Sequence, residues 1–202
     1  MKFLRIPLFL TAFLALALNS PAQAPVTPPS TIDAALLASA GTGNASAQIK
    51  AGDAYAAGTG SERSARQLAA DYKEAANWYR KAADQGSIAA EIKLGDLYRD
   101  GRGVTRDMAQ AVAWYRKAAD QGDSGAQGTL GLLYSVGMGV AQDYVEAYYW
   151  LDLASSASGP NQAKYMANRQ SVCEHITTDQ QQTVEDRVAA WKAAHPHAGS
   201  AQ

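Results

Sequence analysis

The side chains best suited to chemistry in this sequence are few and lie in two short segments near its end. Cys173-Glu174-His175 places a thiol two residues from an imidazole, the pair that a cysteine nucleophile needs. On a helix, side chains two residues apart point in different directions, so a buried, apolar role for Cys173 is favoured. His195-Pro196-His197 offers two imidazoles, fewer than a zinc site requires. The sequence therefore predicts no catalytic residue, no metal site and no cofactor.

Two short glycine loops, Gly101-Arg102-Gly103 and Gly137-Met138-Gly139, look like loops that bind phosphate. A phosphate-binding loop follows a strand and opens a helix, with a longer glycine signature. Each loop here follows a predicted helix and recurs at a fixed interval along the chain. The favoured interpretation is a structural turn.

Composition narrows the class of protein. The chain has 202 residues, a formal net charge of −1 and a single cysteine. A nearly neutral chain is unlike a strongly basic nucleic-acid-binding protein, so no nucleic-acid partner is expected. One cysteine excludes an internal disulfide and a cysteine-rich metal site.

The first 24 residues have the order of a secretory signal peptide. Lys2 and Arg5 precede an apolar run over residues 6–18, and small residues with an Ala-x-Ala cleavage pattern follow. We expect a signal peptide over 1–24, a proline-rich spacer over 25–30 and a periplasmic or secreted protein. The proline directly after the cleavage pattern leaves an uncleaved interfacial anchor as the alternative. No later run is apolar enough to cross a bilayer, so the mature chain should have no transmembrane segment.

An internal repeat dominates the rest of the sequence. Trp78, Trp114 and Trp150 are spaced by 36 residues, and residues 71–106 match residues 107–142 at 19 of 36 positions. A less similar copy begins at residue 143, and another lies upstream with about seven extra residues near 61–67. Periods of this length are typical of solenoids.

Each copy contains two amphipathic helices. Ala75, Tyr79 and Ala82 recur at helical spacing on the first helix, and Leu94 and Leu97 recur on the second. Small residues beside each repeated tryptophan favour a core role for the indoles over a surface that stacks sugars or bases. Glycine recurs inside the second helix, and this recurrence predicts a close crossing of two helix backbones; the positions are 52, 95 and 131.

The motif A-x-x-W-Y-x-K-A-A-x-Q-G, followed by A-x-x-x-L-G-x-L-Y-x-x-G-x-G-V, resembles the Sel1-like repeat, a relative of the tetratricopeptide repeat. The resemblance implies an all-α fold, an α/α superhelical solenoid of helix-turn-helix repeats of about 36 residues, closed by a C-terminal capping helix. It also implies a protein-binding scaffold without catalysis. The solenoid is placed at 31–194, with repeats near 31–70, 71–106, 107–142 and 143–176, a capping helix at 178–194 and a flexible tail at 195–202.

The last two helices depart from the repeat pattern. One apolar face is predicted for the first of them, formed by Ala163, Met166, Ala167, Cys173 and Ile176. A capping box over residues 178–181 is predicted to open the capping helix, whose apolar residues are Val184, Val188 and Trp191. This helix should cover the open end of the stack.

A polar stripe along the first helices is the candidate binding groove, because solenoids of this type line their concave surface with first helices. We call it the first-helix stripe; it comprises positions 73, 77, 80 and 84 and their equivalents 36 and 72 residues later. The candidate partner-binding residues are Lys73, Asn77, Arg80, Arg116, Tyr149 and Asp152. Asp84 and Asp120 lie four residues after the two arginines and would neutralise them if ion pairs formed.

The predicted function is an exported, non-enzymatic protein–protein interaction scaffold that binds a peptide or protein on its concave face. A cell-wall-associated enzyme or binder of envelope components is the alternative. A structural adaptor that organises an envelope complex or forms oligomers is a third interpretation. The identity of the partner does not follow from these residues.

Overall fold

The computed structural model describes residues 32–57 and 64–196, which contain nine α-helices and no strand. The predicted signal peptide, the proline-rich spacer and residues 197–202 of the predicted tail lie outside the described residues. The helices are α1 (Ala34–Gly41), α2 (Ala45–Ala57), α3 (Ala65–Ala83), α4 (Ile88–Asp100), α5 (Met108–Asp120), α6 (Ser124–Val136), α7 (Tyr144–Ser156), α8 (Gln162–Cys173) and α9 (Thr178–Ala194).

The helices pack in chain order, which is the arrangement of a helical-repeat solenoid. Within a repeat the first helix packs on the second, and each second helix also packs on the first helix of the next repeat. Leu94, Tyr115, Leu130 and Leu151 are fully buried along these contacts. A single hairpin could not bury its apolar side chains in this way, so each repeat depends on its neighbours. The predicted all-α solenoid is confirmed.

Local sequence signals fix the helix ends. Asp107 and Asp143 precede α5 and α7, and each side chain accepts a hydrogen bond from a backbone N–H of the first turn. Gly101 and Gly137 end α4 and α6 in the left-handed conformation, both with φ of 70°. The glycine loops are therefore helix-closing turns, as the sequence predicted.

Helix α3 begins six residues before the predicted repeat boundary at residue 71. Ser64 forms a capping box with Gln67, so the helix starts at Ala65. Asp71 stands where Asp107 and Asp143 stand in the later copies, yet it lies inside α3 and is buried. Part of the extra sequence before the first well-matched repeat therefore lengthens α3.

The recurrent glycines make room for side chains of the following repeat. A Cβ on Gly52 would lie 2.4 Å from the ring of Tyr79, and a Cβ on Gly95 would lie 2.6 Å from the ring of Tyr115. Each ring belongs to the first helix of the following repeat. The glycine is thus a recess that the next repeat fills.

At Gly131 a backbone group is also close, because a Cβ there would lie 2.5 Å from Leu151 Cγ and 3.1 Å from the Ala147 carbonyl oxygen. The predicted close crossing of two helix backbones stays a prediction.

Helix α8 is turned about its axis relative to the prediction. Its buried residues are Tyr165 and Val172, whereas Met166 is 53% exposed and Cys173 is half-buried. The ring of Tyr165 occupies the space over Gly128 of α6, where a Cβ would lie 2.2 Å from it. This contact sets the orientation of α8, so the apolar face predicted from Ala163, Met166 and Ala167 is wrong.

Helix α9 has the predicted range of 178–194 and packs mainly on α7, but its capping box lies one residue earlier than predicted. Thr177 and Gln180 form the capping box, because Thr-x-x-Gln occurs in two overlapping registers of the sequence. Val184 and Val188 are buried against the α7 core, and the predicted apolar residues of this helix are confirmed. None of the described helices has the length and apolarity needed to cross a membrane.

Candidate partner-binding site

The first part of the first-helix stripe lies on α3 and faces solvent. Lys73 is exposed and Asn77 is half-buried. The Asn77 amide donates a long hydrogen bond of 3.5 Å to Glu74 Oε1 within the same helix. This end of the stripe offers polar groups with little internal engagement.

Arg80 and Arg116 occupy the same position in successive repeats and are held in the same way. The guanidinium of Arg80 donates to the hydroxyl of Tyr98 at 3.0 Å, and that of Arg116 donates to the hydroxyl of Tyr134. Each tyrosine belongs to the second helix of the same repeat. A guanidinium has five N–H donors, so most of them remain available after this one bond.

The stripe arginines are not paired with the aspartates that follow them. Among the described residues, neither Arg80 nor Arg116 forms an ion pair within 4.0 Å, so the pairing with Asp84 and Asp120 considered from the sequence is not formed. Burial raises the pKa of Asp120, while Arg116 and His195 lower it in part. The tyrosine contact orients the guanidinium groups without neutralising them.

Tyr149 and Asp152 lie in a closed part of the stripe, because α8 and α9 cover them. Tyr149 is only 8% exposed, with the guanidinium of Arg187 from α9 lying 4.3 Å from its ring centroid. Arg187 also forms an ion pair of 2.8 Å with Glu146 of α7. Asp152 pairs at 3.0 Å with Arg169 of α8. The six candidate residues therefore fall into an open section on α3 and α5 and a closed section on α7.

A second feature, which the sequence analysis missed, is a set of buried polar side chains at the start of each second helix. Gln48, Glu91 and Gln127 are equivalent positions, and each is at most 4% exposed. Two of them accept a hydrogen bond of 2.8 Å from a glutamine in the turn of the following hairpin: Gln85 donates to Gln48, and Gln121 donates to Glu91. We call Gln85 and Gln121 the turn glutamines.

Glu91 is a carboxyl group where the other repeats have an amide. Burial raises its pKa, and the nearby Lys117 and the hydrogen bond from Gln121 lower it in part. The turn glutamine therefore supplies one of the contacts that compensate a buried acidic group.

The turn glutamine is absent at the third interface. The Asp-Gln-Gly turn of the first two copies is replaced by Ser156-Ala157-Ser158, so Ala157 stands at the glutamine position. A cavity of about 330 Å³ is found there, lined by Gln127, Leu153, Ser156, Ala157, Trp191 and His195, among others. We call it the Gln127 cavity. It adjoins the first-helix stripe at Ser156.

Comparison of the repeat copies could have pointed to this place. The loss of glutamine at position 157 is visible in the sequence, but the burial of residues 48, 91 and 127 is not. The contribution of α9 to the cavity wall depends on how that helix packs. No periodicity of the sequence encodes that packing.

Cys173, His175 and His195 each contact a different side chain. The Cys173 thiol contacts Gln181 Oε1 at 3.3 Å, while the His175 ring packs on Tyr144 with 4.3 Å between centroids. His195 stacks on Trp191 at 4.3 Å, and its Nδ1 lies 2.9 Å from the Trp191 carbonyl oxygen. Within the described residues no group of three metal-ligating side chains comes together.

Two of the three repeated tryptophans lie at the edge of the core. Trp150 is buried, whereas Trp78 and Trp114 are half-buried against the core of the preceding helices. The ammonium groups of Lys81 and Lys117 lie over these two indoles, 4.0 Å and 3.9 Å from the ring centroids. The indole faces are thus already occupied by the chain's own cations.

Three comparisons place this geometry among known proteins. A family model described as the Sel1 repeat matches residues 45–87, 88–123 and 125–158. The structure is similar to that of c5321, a protective antigen present in uropathogenic Escherichia coli strains displaying an SLR fold, with 37% identity, a TM-score of 0.67 and 82% of this chain covered. The match covers 33% of c5321, so this chain spans about a third of its length.

A second similar structure is a Sel1 repeat protein from Oxalobacter formigenes. The identity is 34% and the TM-score is 0.56, and the match covers 68% of this chain and 96% of that one. No curated protein sequence matches the chain.

Proposed function

The chain belongs to the Sel1 repeat family, and on that premise we propose that it is a non-enzymatic scaffold that binds a protein or peptide partner along the first-helix stripe. Repeat solenoids present long continuous surfaces in which each repeat contributes an equivalent set of side chains. The open section on α3 and α5 is the part proposed to contact the partner.

One observation carries the proposal. Arg80 and Arg116 are equivalent, each is oriented by a tyrosine hydroxyl, and neither has an ion-pair partner within 4.0 Å among the described residues. A guanidinium that is already oriented loses less conformational entropy on binding than a free one. Its planar donors suit carboxylates and backbone carbonyls. The proposed ligand is therefore an extended segment with acceptors that meet both arginines.

We further propose that the protein works outside the cytoplasm. The charged start, apolar run and Ala-x-Ala pattern of residues 1–24 support export to the periplasm or the medium. Cell fractionation followed by sequencing of the mature N-terminus tests this, with Lys2→Glu plus Arg5→Glu as a variant that reverses the leading charge. Full-length chain found only in the cytosol would contradict export.

Binding is tested by capture from an envelope extract with two charge-matched variants. Arg80→Glu plus Arg116→Glu should abolish capture of the partner and leave the melting temperature nearly unchanged. The control is Lys50→Glu plus Lys164→Glu, which makes the same charge change at exposed positions of α2 and α8. The control should bind like the wild type. Undiminished capture by the arginine variant would move the binding site off the stripe.

A further inference from the structure

We infer that the Gln127 cavity binds a glutamine side chain presented by the partner protein. This inference rests on the proposed function and specifies the chemistry of one contact with the partner. The molecule contains its own precedent, because two equivalent interfaces already hold a glutamine at the corresponding place.

The precedent defines the acceptors that such a side chain meets. The amide Nε2 of Gln85 donates to Gln48 Oε1 at 2.8 Å and to the Lys81 carbonyl at 3.0 Å. Gln121 repeats the arrangement, with 2.8 Å to Glu91 Oε2 and 3.5 Å to the carbonyl of residue 117. One primary amide thus joins a buried side-chain oxygen to a carbonyl in the last turn of a first helix.

Both acceptors are present at the third interface. Gln127 is 2% exposed, and its Nε2 donates to the Ala119 carbonyl at 3.1 Å. No described residue donates a hydrogen bond to its Oε1, and Gln127 lines the cavity. Leu153 is the equivalent of Lys81 and also lines the cavity. The N–H of Ala157 donates to the carbonyl of Ala154 and not to that of Leu153.

Only the donor is missing. Ala157 has φ of −80° and Gln121 has φ of −83°, so Cβ leaves the chain in the same direction relative to the preceding helix. The side chain that extends from this Cβ in the earlier repeats is absent at residue 157, and the cavity of about 330 Å³ remains. Gln127 Oε1 is accessible from the cavity, so the N–H of a bound amide can donate to it.

The chemistry favours a primary amide over other side chains. Two acceptor oxygens require N–H donors, which excludes the carboxylate of glutamate. Lys192 lines the cavity and disfavours a second ammonium group there. The stacked rings of Trp191 and His195 offer an apolar wall for the methylene groups of glutamine. Ser156 belongs to both the stripe and the cavity wall and is exposed, as is its equivalent Asp120 on α5. A ligand that crosses from α5 to α7 at this exposed end of the stripe can therefore deliver the glutamine side chain.

The first test is a titration of the mature protein with a short peptide that copies residues 82–87 and so carries the Asp-Gln-Gly turn. Binding is followed by NMR at the side-chain amide of Gln127 and the indole N–H of Trp191. Matched peptides carry alanine or glutamate in place of the glutamine. We expect saturable shifts with the glutamine peptide and affinity at least about tenfold lower with the others, about 1.4 kcal/mol. Equal affinity of the three peptides would overturn the inference.

Three variants test the same contact from the protein side. Ala157→Gln should fill the cavity from within and abolish peptide binding. Gln127→Met removes the acceptor and should also abolish it. Gln127→Glu keeps an acceptor, as Glu91 does beneath Gln121, and should retain binding. Unchanged peptide binding in both Ala157→Gln and Gln127→Met would refute the assigned site.

The cavity and the stripe can fail independently. The Arg80→Glu plus Arg116→Glu variant should still bind the glutamine peptide, because neither arginine lines the cavity. Ala157→Gln should capture the envelope partner less well than the wild type. If this variant captures the partner fully, the inference about the cavity is wrong while the scaffold proposal stands.

Discussion

The second and third interfaces between repeats differ in a few side chains, and those few change what each interface can do. At the second, Tyr115 fills the recess over Gly95 and Gln121 reaches Glu91. At the third, Leu151 replaces the tyrosine and Ala157 replaces the turn glutamine. The turn after α7 also leaves in an extended conformation, with ψ of 136° at Ala157 against 0° at Gln121. One interface is therefore sealed and the other contains an open cavity.

Divergence from the repeat pattern is concentrated around α9. That helix covers Tyr149 and contributes Trp191 to the cavity, and His195 follows at its C-terminal end. The matched repeats instead leave their stripe open. The repeats that match each other in sequence thus form the regular part of the solenoid. The divergent copy forms the closed section of the stripe and the Gln127 cavity.

The largest effect is expected from loss of the sealed contact. Tyr115→Ala empties the recess over Gly95 and removes hydrogen bonds to Asp96 and Arg99, of 2.8 Å and 3.1 Å. We expect the free energy of unfolding to fall by roughly 3–5 kcal/mol, as for other large buried side chains. Trp114→Ala is the control, since this indole is half-buried and should cost less. Denaturant unfolding of both variants checks the order, and a larger loss for Trp114→Ala would reverse it.

The two turn glutamines should contribute different amounts to the free energy of unfolding, because their acceptors differ. Gln121→Ala leaves the Glu91 carboxyl group without its donor, and Gln85→Ala leaves only the neutral amide oxygen of Gln48. We expect losses of about 2 kcal/mol and about 1 kcal/mol at neutral pH, since hydrogen bonds to charged groups contribute more. Thermal melts of the matched pair measure the difference. Equal losses would show that the charge of Glu91 does not strengthen its hydrogen bond with Gln121.

The same position predicts a pH dependence. The pKa of Glu91 is raised above its ordinary value of 4.5, chiefly by burial. The folded state therefore holds the proton more tightly, and the stability due to the neutral form is complete below pH 4.5 and lost as the pH rises through the raised pKa. Glu91→Gln should be more stable than the wild type at pH 7, by about 1 kcal/mol, with the gain shrinking toward pH 4.5.

Gln48→Glu provides the opposite change at the equivalent position. It introduces a carboxyl group below Gln85 and removes the donor to the Ala40 carbonyl. Its stability relative to the wild type should fall as the pH rises. Melting curves of both variants between pH 4.5 and pH 7 decide the matter, and parallel curves would contradict the role of burial.

The smallest effect concerns the attachment of α9. Arg187→Glu places a carboxylate against Glu146 and removes the cation over the ring of Tyr149. Because both groups are partly exposed, we expect a loss of about 0.5–1 kcal/mol. The swap of Arg187→Glu with Glu146→Arg should restore most of it. A double-mutant cycle with no coupling energy would show that the ion pair does not help to hold α9.

Much of the fold could be predicted from the sequence because the repeat carries its own signals. The 36-residue period, the helical spacing of apolar residues and the helix-closing glycines predicted the repeat helices and their order, and the resemblance to Sel1-like repeats is confirmed. The sequence did not show that Tyr79 and Tyr115 are more deeply buried than Trp78 and Trp114, since both residue types recur 36 residues apart in these two copies. Burial separates Tyr115 from Trp114, and burial depends on the recess at Gly95.

The candidate site was predictable only where the repeats are regular. The stripe positions of Arg80 and Arg116 follow from helical spacing, but the tyrosine hydroxyls that hold them come from the other helix of each hairpin. Tyr149 was expected to be exposed, because the packing of α9 on α7 follows no periodic pattern in the sequence. The contacts of Val184 and Val188 that place α9 over Tyr149 are long-range and leave no pattern along the chain.

The recessed glycines also bear on how such a chain can lengthen. Each recess lies on one unit and the side chain that fills it lies on the next, so duplication of a whole unit supplies both the glycine and its occupant. An insertion of any other size would break this inheritance. Helix α8 contains no glycine, and α9 packs mainly on α7. Among the described helices, the last unit thus lacks a glycine recess of this kind.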